Sequence, residues 1–220
     1  MKITFISDTH NHHKKLPKLS GGDILIHAGD ITSVGYQHEI REFCKWFNNQ
    51  DDYTHKVFIA GNHDWGFQNN TAKIAEILDF YNKINYLQDQ LLEIDGIKIW
   101  GSPWQPEFYN WAFNLQRGDE IQQKWNLIPN DLDILITHGP AWGILDKVHG
   151  QGEELGCQNL AQTILDKKPK IHICGHIHTG WGNLKVGDTH YFNASVLDER
   201  YLMTQNPINI EYVDGEVVVL

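Results

Sequence analysis

Cysteine is scarce in this chain, with three residues in 220, and basic side chains are outnumbered, 18 Lys and Arg against 28 Asp and Glu. Cys44, Cys157 and Cys174 are odd in number and scattered, so neither a disulfide framework nor a Cys-x-x-Cys zinc site is available. That usage fits a reduced, cytoplasmic setting. A formal net charge of −10 argues against polymeric nucleic acid as a partner, since such affinity comes largely from Lys and Arg neutralising phosphates. It argues equally against an anionic membrane surface. No apolar run approaches the roughly 20 residues a spanning helix needs, and Met1-Lys2-Ile3 reads as the start of a strand, not a signal peptide. Repeats, low-complexity tracts and Pro/Ser-rich linkers are also missing, so residues 1–220 read as one domain. What the chain has in excess is histidine. Its 13 copies nearly match Lys and Arg combined, and the imidazole is both the commonest metal ligand and a proton carrier near pH 7.

Periodicity predicts a layered α/β core. Lys2–Ser7, Asp23–Ala28 and Val57–Ala60 are short apolar runs that read as strands. Between Gly35 and Gln50, Ile40, Phe43, Cys44 and Phe47 recur at helical spacing, and Ile74, Ile77, Leu78 and Tyr81 do so in a second helix. Leu91–Ile94 and Ile97–Trp100 flank Asp95-Gly96, a strong hairpin signal. Residues 103–117 form an aromatic-rich loop, and Asp119 with Gln122 predicts a capping box for a helix reaching Leu127. Ile134–Thr137 and Ile171–Cys174 are further strands around a helix at about Gln158–Lys167; beyond His178 the chain reads as mostly β, with a hairpin at Asp214-Gly215. Two packed β-sheets flanked by helices, a four-layer α/β/β/α sandwich, is the economical arrangement.

Each strong strand in this scheme ends in ligand-type residues. They are Asp8-Thr-His10, Gly29-Asp30, Gly61-Asn-His63-Asp64, Thr137-His138-Gly139 and Gly175-His176-Ile-His178. In open α/β sheets, ligands bind outside the carboxyl ends of strands. Asp8 with His10, and His176 with His178, stand two residues apart, so extended backbone would project each pair to one side. Glycines 29, 61, 139 and 175 remove side chains where such loops would crowd. The donors Asp8, His10, Asp30, Asn62, His138, His176 and His178 are too many for one tetrahedral zinc and include no thiolate. They suit two divalent ions sharing a carboxylate. Two ions about 4 Å apart can generate a bridging hydroxide and clamp both oxygens of an in-line phosphoryl displacement.

Taken in order, these five blocks resemble the calcineurin-like metallophosphoesterases. The resemblance implies one metal site from Asp8, His10, Asp30 and His178, and another from Asp30 (bridging), Asn62, His138 and His176. It implies that Asn62 and His63 meet the substrate, with His63 facing the phosphate and the leaving oxygen. Gly22–Asp30, Gly101-Ser-Pro-Trp104, Phe113–Gly118, Lys124–Pro129 and Asn193-Ala-Ser195 further resemble the brain-type metallophosphoesterase-domain proteins and their bacterial relatives. That implies a phosphodiesterase acting on small, nucleotide-like diesters, with cyclic ones among the candidates. Some of those proteins carry glycine at the first histidine of Gly-His-x-His; this chain keeps His176, which implies a complete metal pair. Manganese is the first expectation for the ions, with iron, zinc or nickel as alternatives.

Other roles stay open at the level of sequence. Asp64 either holds the His63 imidazole, as a catalytic partner, or caps the following turn. Trp104, Tyr109, Trp111 and Phe113 either stack a substrate base or pin the long loop to the core. Arg117 either contacts a phosphate or carboxylate of the substrate or plays an ordinary surface role. The expected partner is a small phosphoester, and the oligomeric state is unassigned. A phosphomonoesterase, or a non-catalytic metal- or nucleotide-binding scaffold, is the alternative function.

Overall fold

Side-chain alternation builds the layers seen in the computed structural model, which describes residues 1–148 and 152–220. In β1 (Lys2–Ile6), Ile3 and Phe5 face one way and Ile6 the other; in β2 (Gly22–His27), Ile24 and Ile26 oppose Leu25. After helix α1 (Gln37–Asn48), β3 (Tyr53–Phe58) repeats the pattern with Val57 against Phe58. A short helix α2 (Trp65–Asn69), α3 (Thr71–Phe80) and the two-residue strand β4 (Asn85–Tyr86) follow. Next come β5 (Gln90–Ile94), β6 (Ile97–Ser102), the small pair β7 (Gln105–Pro106) and β8 (Asn114–Leu115), α4 (Asp119–Trp125), β9 (Ile134–Thr137), α5 (Gln158–Lys167) and β10 (Ile171–Cys174). The last four elements are strands, β11 (Gly182–Val186), β12 (Thr189–Asn193), β13 (Ile208–Val213) and β14 (Glu216–Val219).

Two six-stranded mixed sheets result, ordered β14-β13-β1-β2-β3-β4 and β11-β12-β10-β9-β6-β5. Their central strands are parallel: β1 through β4 in the first, and β12, β10, β9 and β6 in the second. Antiparallel neighbours flank each set. The inner faces meet in one buried cluster in which Ile3, Phe5, Ile26 and Val57 join Ile99, Ile134, Ile173 and Phe192. Helices α1 and α3 bring Ile40, Phe43, Phe47 and Ile77 onto Leu25 and Phe58 of the first sheet. Helices α4 and α5 bring Ile121, Trp125, Leu160 and Ile164 onto Leu135 and Tyr191 of the second. This is the expected α/β/β/α sandwich. A parallel bridge between Ser7 and Ser195, with Val196 N–H donating to Ser7 O at 3.1 Å, joins the ends of β1 and β12 across the two sheets.

Both Asp-Gly hairpins form, and each pair has positive φ at both residues (Asp95 49°, Gly96 84°; Asp214 51°, Gly215 83°), as the tight two-residue turn requires. Two local expectations are corrected. The third strand runs Tyr53–Phe58 instead of Val57–Ala60; polar Thr54, His55 and Lys56 disguise it, and Lys56 is buried with its ammonium donating to Tyr53 O at 3.2 Å. No capping box forms between Asp119 and Gln122, because Gly118 (φ 90°) takes the cap position and Asp119 opens the helix. Glu120 instead accepts from Gln116 N–H at 2.7 Å.

Phe5 and Phe192 come from opposite sheets, are fully buried, and meet with ring centroids 5.0 Å apart. Phe192→Ala is expected to cost about 3–5 kcal/mol. In denaturant titrations the midpoint should fall with an unchanged slope; a loss under about 1 kcal/mol would contradict this packing account.

Candidate metal centre

The residues leaving β1, β2, β3, β9 and β10 converge at one edge of the sandwich, but not by the predicted route. Asp8 (φ 54°), His10 (40°), Asp30 (54°) and His176 (65°) lie in left-handed backbone, so the two-residue spacing acts through turns and not through extended chain. Each such conformation costs on the order of 1 kcal/mol for a side-chain-bearing residue, and it persists only where its surroundings enforce it. Asp8 N–H donates to Gly29 O and His10 N–H to Asp30 O, both at 3.0 Å. His176 N–H donates to the Asp8 carboxylate, 3.0 Å from each oxygen. Close approach demands glycine at three points: a Cβ on Gly175 would overlap the Asp8 carboxylate and Ser7, one on Gly61 would overlap Asp30, and one on Gly29 would overlap the His138 ring and Ala60 O. Gly139 is different, since a Cβ there meets only Gln105 at an ordinary 3.4 Å.

Ligand-type atoms gather in three overlapping groups: Asp8, His10 and His178; Asp30, His138 and His176; and His10, Asp30 and His63. His178 Nε2 is 3.5 Å from Asp8 Oδ1, while Asp30 Oδ2 lies 3.5 Å from His10 Nε2 and 3.4 Å from His138 Nε2. Asn62 Oδ1 sits 2.9 Å from His138 Nε2 and 2.8 Å from His176 Nδ1. Separations near 3.4 Å are long for hydrogen bonds but match ligands held at roughly 2.1 Å around a shared ion. Asp30 therefore stands between the two halves of the cluster, with one oxygen facing both.

Two further observations fit a cation. His10 is buried and neither ring nitrogen has a hydrogen-bond partner among the described residues. Such orphaned groups cost about 1–3 kcal/mol each unless something ligates them. In addition, Nδ1 of His138 faces Ala28 O at 3.0 Å and Nδ1 of His178 faces Asp198 O at 2.9 Å. A carbonyl can only accept, so Nδ1 carries the proton and Nε2 turns to the carboxylates, the tautomer a metal ligand needs.

Charge in the cluster tells the same story. Burial opposes ionisation of Asp8 and Asp30, yet His178 beside the first and His138 beside the second hold both carboxyls well below the usual range. Burial also disfavours the imidazolium of His138 and His178, but Asp30 beside the first and Asp8 beside the second push each up to about 9. At His10 and His176 burial dominates and pushes them down to about 4 and about 3. Two buried carboxylates thus hold two imidazoles charged, the work that divalent cations would take over.

A cleft of about 490 Å³ opens over the cluster, lined by His10, Asp30, Asn62, His63, His176 and His178. His63 faces this cleft; its Nδ1 lies 2.7 Å from Ser33 O and its N–H donates to Asp30 Oδ1 at 2.8 Å. Asp64 does not hold that imidazole. Its carboxylate accepts from the N–H groups of Ile31 (3.1 Å), Thr32 (2.9 Å) and Gly61 (2.8 Å) and from the Thr32 hydroxyl (2.6 Å), and it makes no side-chain cap for α2. It staples the Asp30 loop to the Asn62 loop, while burial and then Asp30 push its carboxyl up to about 7. Trp104 is not in the cleft lining: its indole donates to Asp89 at 2.9 Å, under the Lys124 ammonium. Arg117 does line the cleft, but its guanidinium donates to Gly156 O at 2.7 Å and Leu155 O at 2.8 Å.

Several contributors escaped the sequence reading. Ser195 Oγ lies 2.9 Å from Asp8 Oδ2, and Asn193 Nδ2 donates to Ile177 O at 2.8 Å, steadying the Gly-His-x-His loop. The Asn193-Ala-Ser195 block was visible, but nothing in it indicated this task. Two histidines without an assigned role sit directly behind ligand loops: His27 Nε2 is 2.9 Å from the Thr9 hydroxyl, and His172 Nε2 is 2.8 Å from that of Thr137. Since Thr137 donates to Gly139 O at 2.7 Å, His172 must donate to Thr137 and carry its proton on Nε2. Tyr201, also in the cleft, packs its ring edge on His10 (centroids 4.9 Å).

Fold and site together describe a sandwich that carries, at its strand ends, a histidine–carboxylate cluster able to hold a metal ion. Residues 1–180 match the calcineurin-like phosphoesterase family, and the chain belongs to it. It is 40% identical to human metallophosphoesterase domain-containing protein 1 over 231 residues, covering 96% of this chain and 70% of that protein. A UPF0046 protein of Caenorhabditis elegans is 34% identical, with 94% of this chain and 59% of that one covered. Among solved structures, a protein of Thermus thermophilus superposes with a TM-score of 0.66 at 12% identity, covering 99% and 97% of the two chains. The chain is accordingly a metal-dependent phosphoesterase. Among the described residues no helix is long and apolar enough to cross a membrane.

Two measurements test these assignments. Burial keeps His172 neutral and pushes it down to about 3, from about 6.5 in an unfolded chain. Its contribution is therefore fully present above pH 6.5 and lost as pH falls towards 3, about 2 kcal/mol of it by pH 5. His172→Gln, which keeps the Nε2 donor, should flatten the drop in denaturation midpoint between pH 7 and 5; an unchanged drop would contradict the assignment. Asp64→Ala leaves three backbone N–H groups unpaired and should cost about 2–4 kcal/mol by the same titration at pH 7. An Asp64→Ala protein of wild-type stability would show that the staple is dispensable.

Proposed function

We propose that this phosphoesterase is dinuclear and acts on small phosphodiesters of nucleotide size, cyclic ones included. The charge of the cleft carries the diester preference. Among the described lining residues Arg117 is the only Lys or Arg, and it is committed to two backbone carbonyls, whereas Glu107 and Glu199 are exposed on the rim. A phosphomonoester carries close to two negative charges at pH 7 and a diester one. Beyond the metal cluster and His63, the second charge finds no Lys or Arg free to meet it among the described lining residues, and it faces two carboxylates instead. A cleft of about 490 Å³ also suits a small substrate better than a polymer.

In this reading Asp8, His10, Asp30 and His178 would hold one ion, and Asp30, Asn62, His138 and His176 the other. Manganese suits these oxygen and imidazole donors, as do iron, zinc or nickel. When bound, the ions supply Lewis acidity and an activated water. The remaining chemistry belongs to the chain. His63, its Nδ1 anchored to Ser33 O, keeps Nε2 free to bind a phosphate oxygen and to deliver a proton to the departing oxygen. Asp30 Oδ1 fixes the His63 backbone and so sets the distance from that ring to the cluster. Two sheets sharing one core support a single domain, and three buried, unpaired thiols support a reducing compartment such as the cytoplasm.

Asp30→Asn should lose metal and nearly all turnover, whereas His63→Ala should keep its metal content and lose about 10²–10⁴ in rate. Elemental analysis beside steady-state assays on an aryl phosphodiester and its monoester reads all of this. Full activity in Asp30→Asn would remove the bridging role, and faster monoester turnover would sink the diester preference. Metal-loaded protein that binds nucleotide yet hydrolyses neither ester would mark a scaffold.

A further inference from the structure

The aromatic loop at residues 103–117 has no part in the chemistry proposed for the cleft, and its rings divide sharply in what they touch. Phe113 is fully buried, Trp104 is turned to Asp89, and Phe108 and Tyr109 line the cleft. Trp111 does none of these. Its ring lies over the His63 imidazole with centroids 4.1 Å apart and planes 24° from parallel, and it is not among the cleft-lining residues. His63 also meets the His10 ring, in an edge-to-face contact with centroids 4.5 Å apart. With Nδ1 tied to Ser33 O, the imidazole is fixed at one atom by a hydrogen bond and in its plane by the Trp111 face.

The loop is clamped to the loop it supports. Ala112 N–H donates to Asn62 O at 3.0 Å and Phe113 N–H to Gln68 Oε1 at 2.5 Å, so the residue after Trp111 is tied directly to the residue before His63. Ala112 and Phe113 are fully buried in the cluster beneath the first sheet. Trp111 is therefore presented from a rigid base. A lone hydrogen bond at Nδ1 leaves the ring free to swing about its side-chain torsions; a flat indole face stacked on it removes most of that freedom.

We propose that Trp111 is a positioning residue that holds the His63 ring in the plane from which Nε2 reaches the leaving oxygen of the substrate. This rests on the assignment of His63 to the leaving oxygen. Trp111 touches no reacting atom; it acts through orientation, and a misaligned donor loses most of its effect for a small displacement. The consequence depends on the leaving group. A departing 4-nitrophenolate needs little help from a proton, whereas a departing phenolate needs much more.

The test uses the metal-loaded full chain and methyl aryl phosphodiesters whose leaving phenols range from 4-nitrophenol to unsubstituted phenol. Trp111→Leu is expected to lower kcat about tenfold for the phenol ester and under about threefold for the nitrophenol ester, with KM and metal content unchanged. Trp111→Phe, which restores an aromatic face, should recover most of the phenol-ester rate. In the proton NMR spectrum of metal-free protein, the carbon-bound His63 ring protons should lie upfield in the wild type and return towards ordinary positions in Trp111→Leu. His63→Ala in the same series separates the role of Trp111 from that of His63. If His63→Ala loses most on the phenol ester while Trp111→Leu loses evenly or not at all, the positioning role is wrong and the His63 role stands. If His63→Ala itself loses rate evenly across the series, the leaving-oxygen role falls and the Trp111 inference falls with it. Should Trp111→Leu fold poorly, Trp111→Phe and the His63 ring-proton shifts still decide: a wild-type ring shift in Trp111→Phe with a tenfold kcat loss on phenol alone would contradict stacking as the cause.

Discussion

Two buried carboxylates, Asp8 and Asp30, govern this structure. Each follows a central strand of the first sheet, each is almost wholly removed from water, and burial alone would neutralise both. They stay charged because histidines from the second sheet, His138 and His178, lie 3.4–3.5 Å from their oxygens. Much else at this edge of the sandwich follows from keeping that charge compensated. Ser195 and the His176 N–H turn to Asp8, the His63 N–H turns to Asp30, and the Ser7–Ser195 bridge closes one sheet on the other beside them. A divalent ion meets the same electrostatic need as the two imidazolium protons and would release them.

The sandwich makes this possible by geometry. Parallel central strands in both sheets aim their carboxyl ends at a common edge, so five loops meet without any of them being long. Left-handed backbone at Asp8, His10, Asp30 and His176 then folds each ligand inward. The stored strain is held by backbone bonds between loops, by the four-donor Asp64 staple, and by glycine where a Cβ would strike a carboxylate. Of the aromatic residues between 104 and 113, Trp111 stacks on His63 while Phe108 and Tyr109 line the cleft.

Much of this was legible in the sequence, and the failures have physical causes. The apolar alternation of Ile3, Phe5, Ile24 and Ile26 identified the inner layer, and Asp-Gly pairs placed both hairpins. Ligand-type residues after successive strands marked the site because polar side chains cannot continue a buried strand. Strand three was misplaced since Lys56 is a buried polar residue whose partner, Tyr53 O, no local pattern reveals. Asp64 and Trp104 looked like site residues from their neighbours in the chain, but their side-chain directions depend on partners well removed in sequence, whereas Arg117 does line the cleft, its guanidinium held by Gly156 O and Leu155 O. Trp111 was one ring among several until its stacking on His63 separated it from the others. Asp8 and His10 come together through left-handed turns and not, as their spacing suggested, through extended chain.

The central claim is that the carboxylate–histidine cluster is one dinuclear centre with Asp30 shared. X-ray diffraction from manganese-loaded crystals, with anomalous data collected on both sides of the metal absorption edge, tests it most directly. The account predicts two anomalous peaks about 4 Å apart. One should lie among Asp8, His10 and His178, the other among Asn62, His138 and His176, with Asp30 between them. A single peak, or two peaks that leave the Asp30 carboxylate unligated, would contradict it.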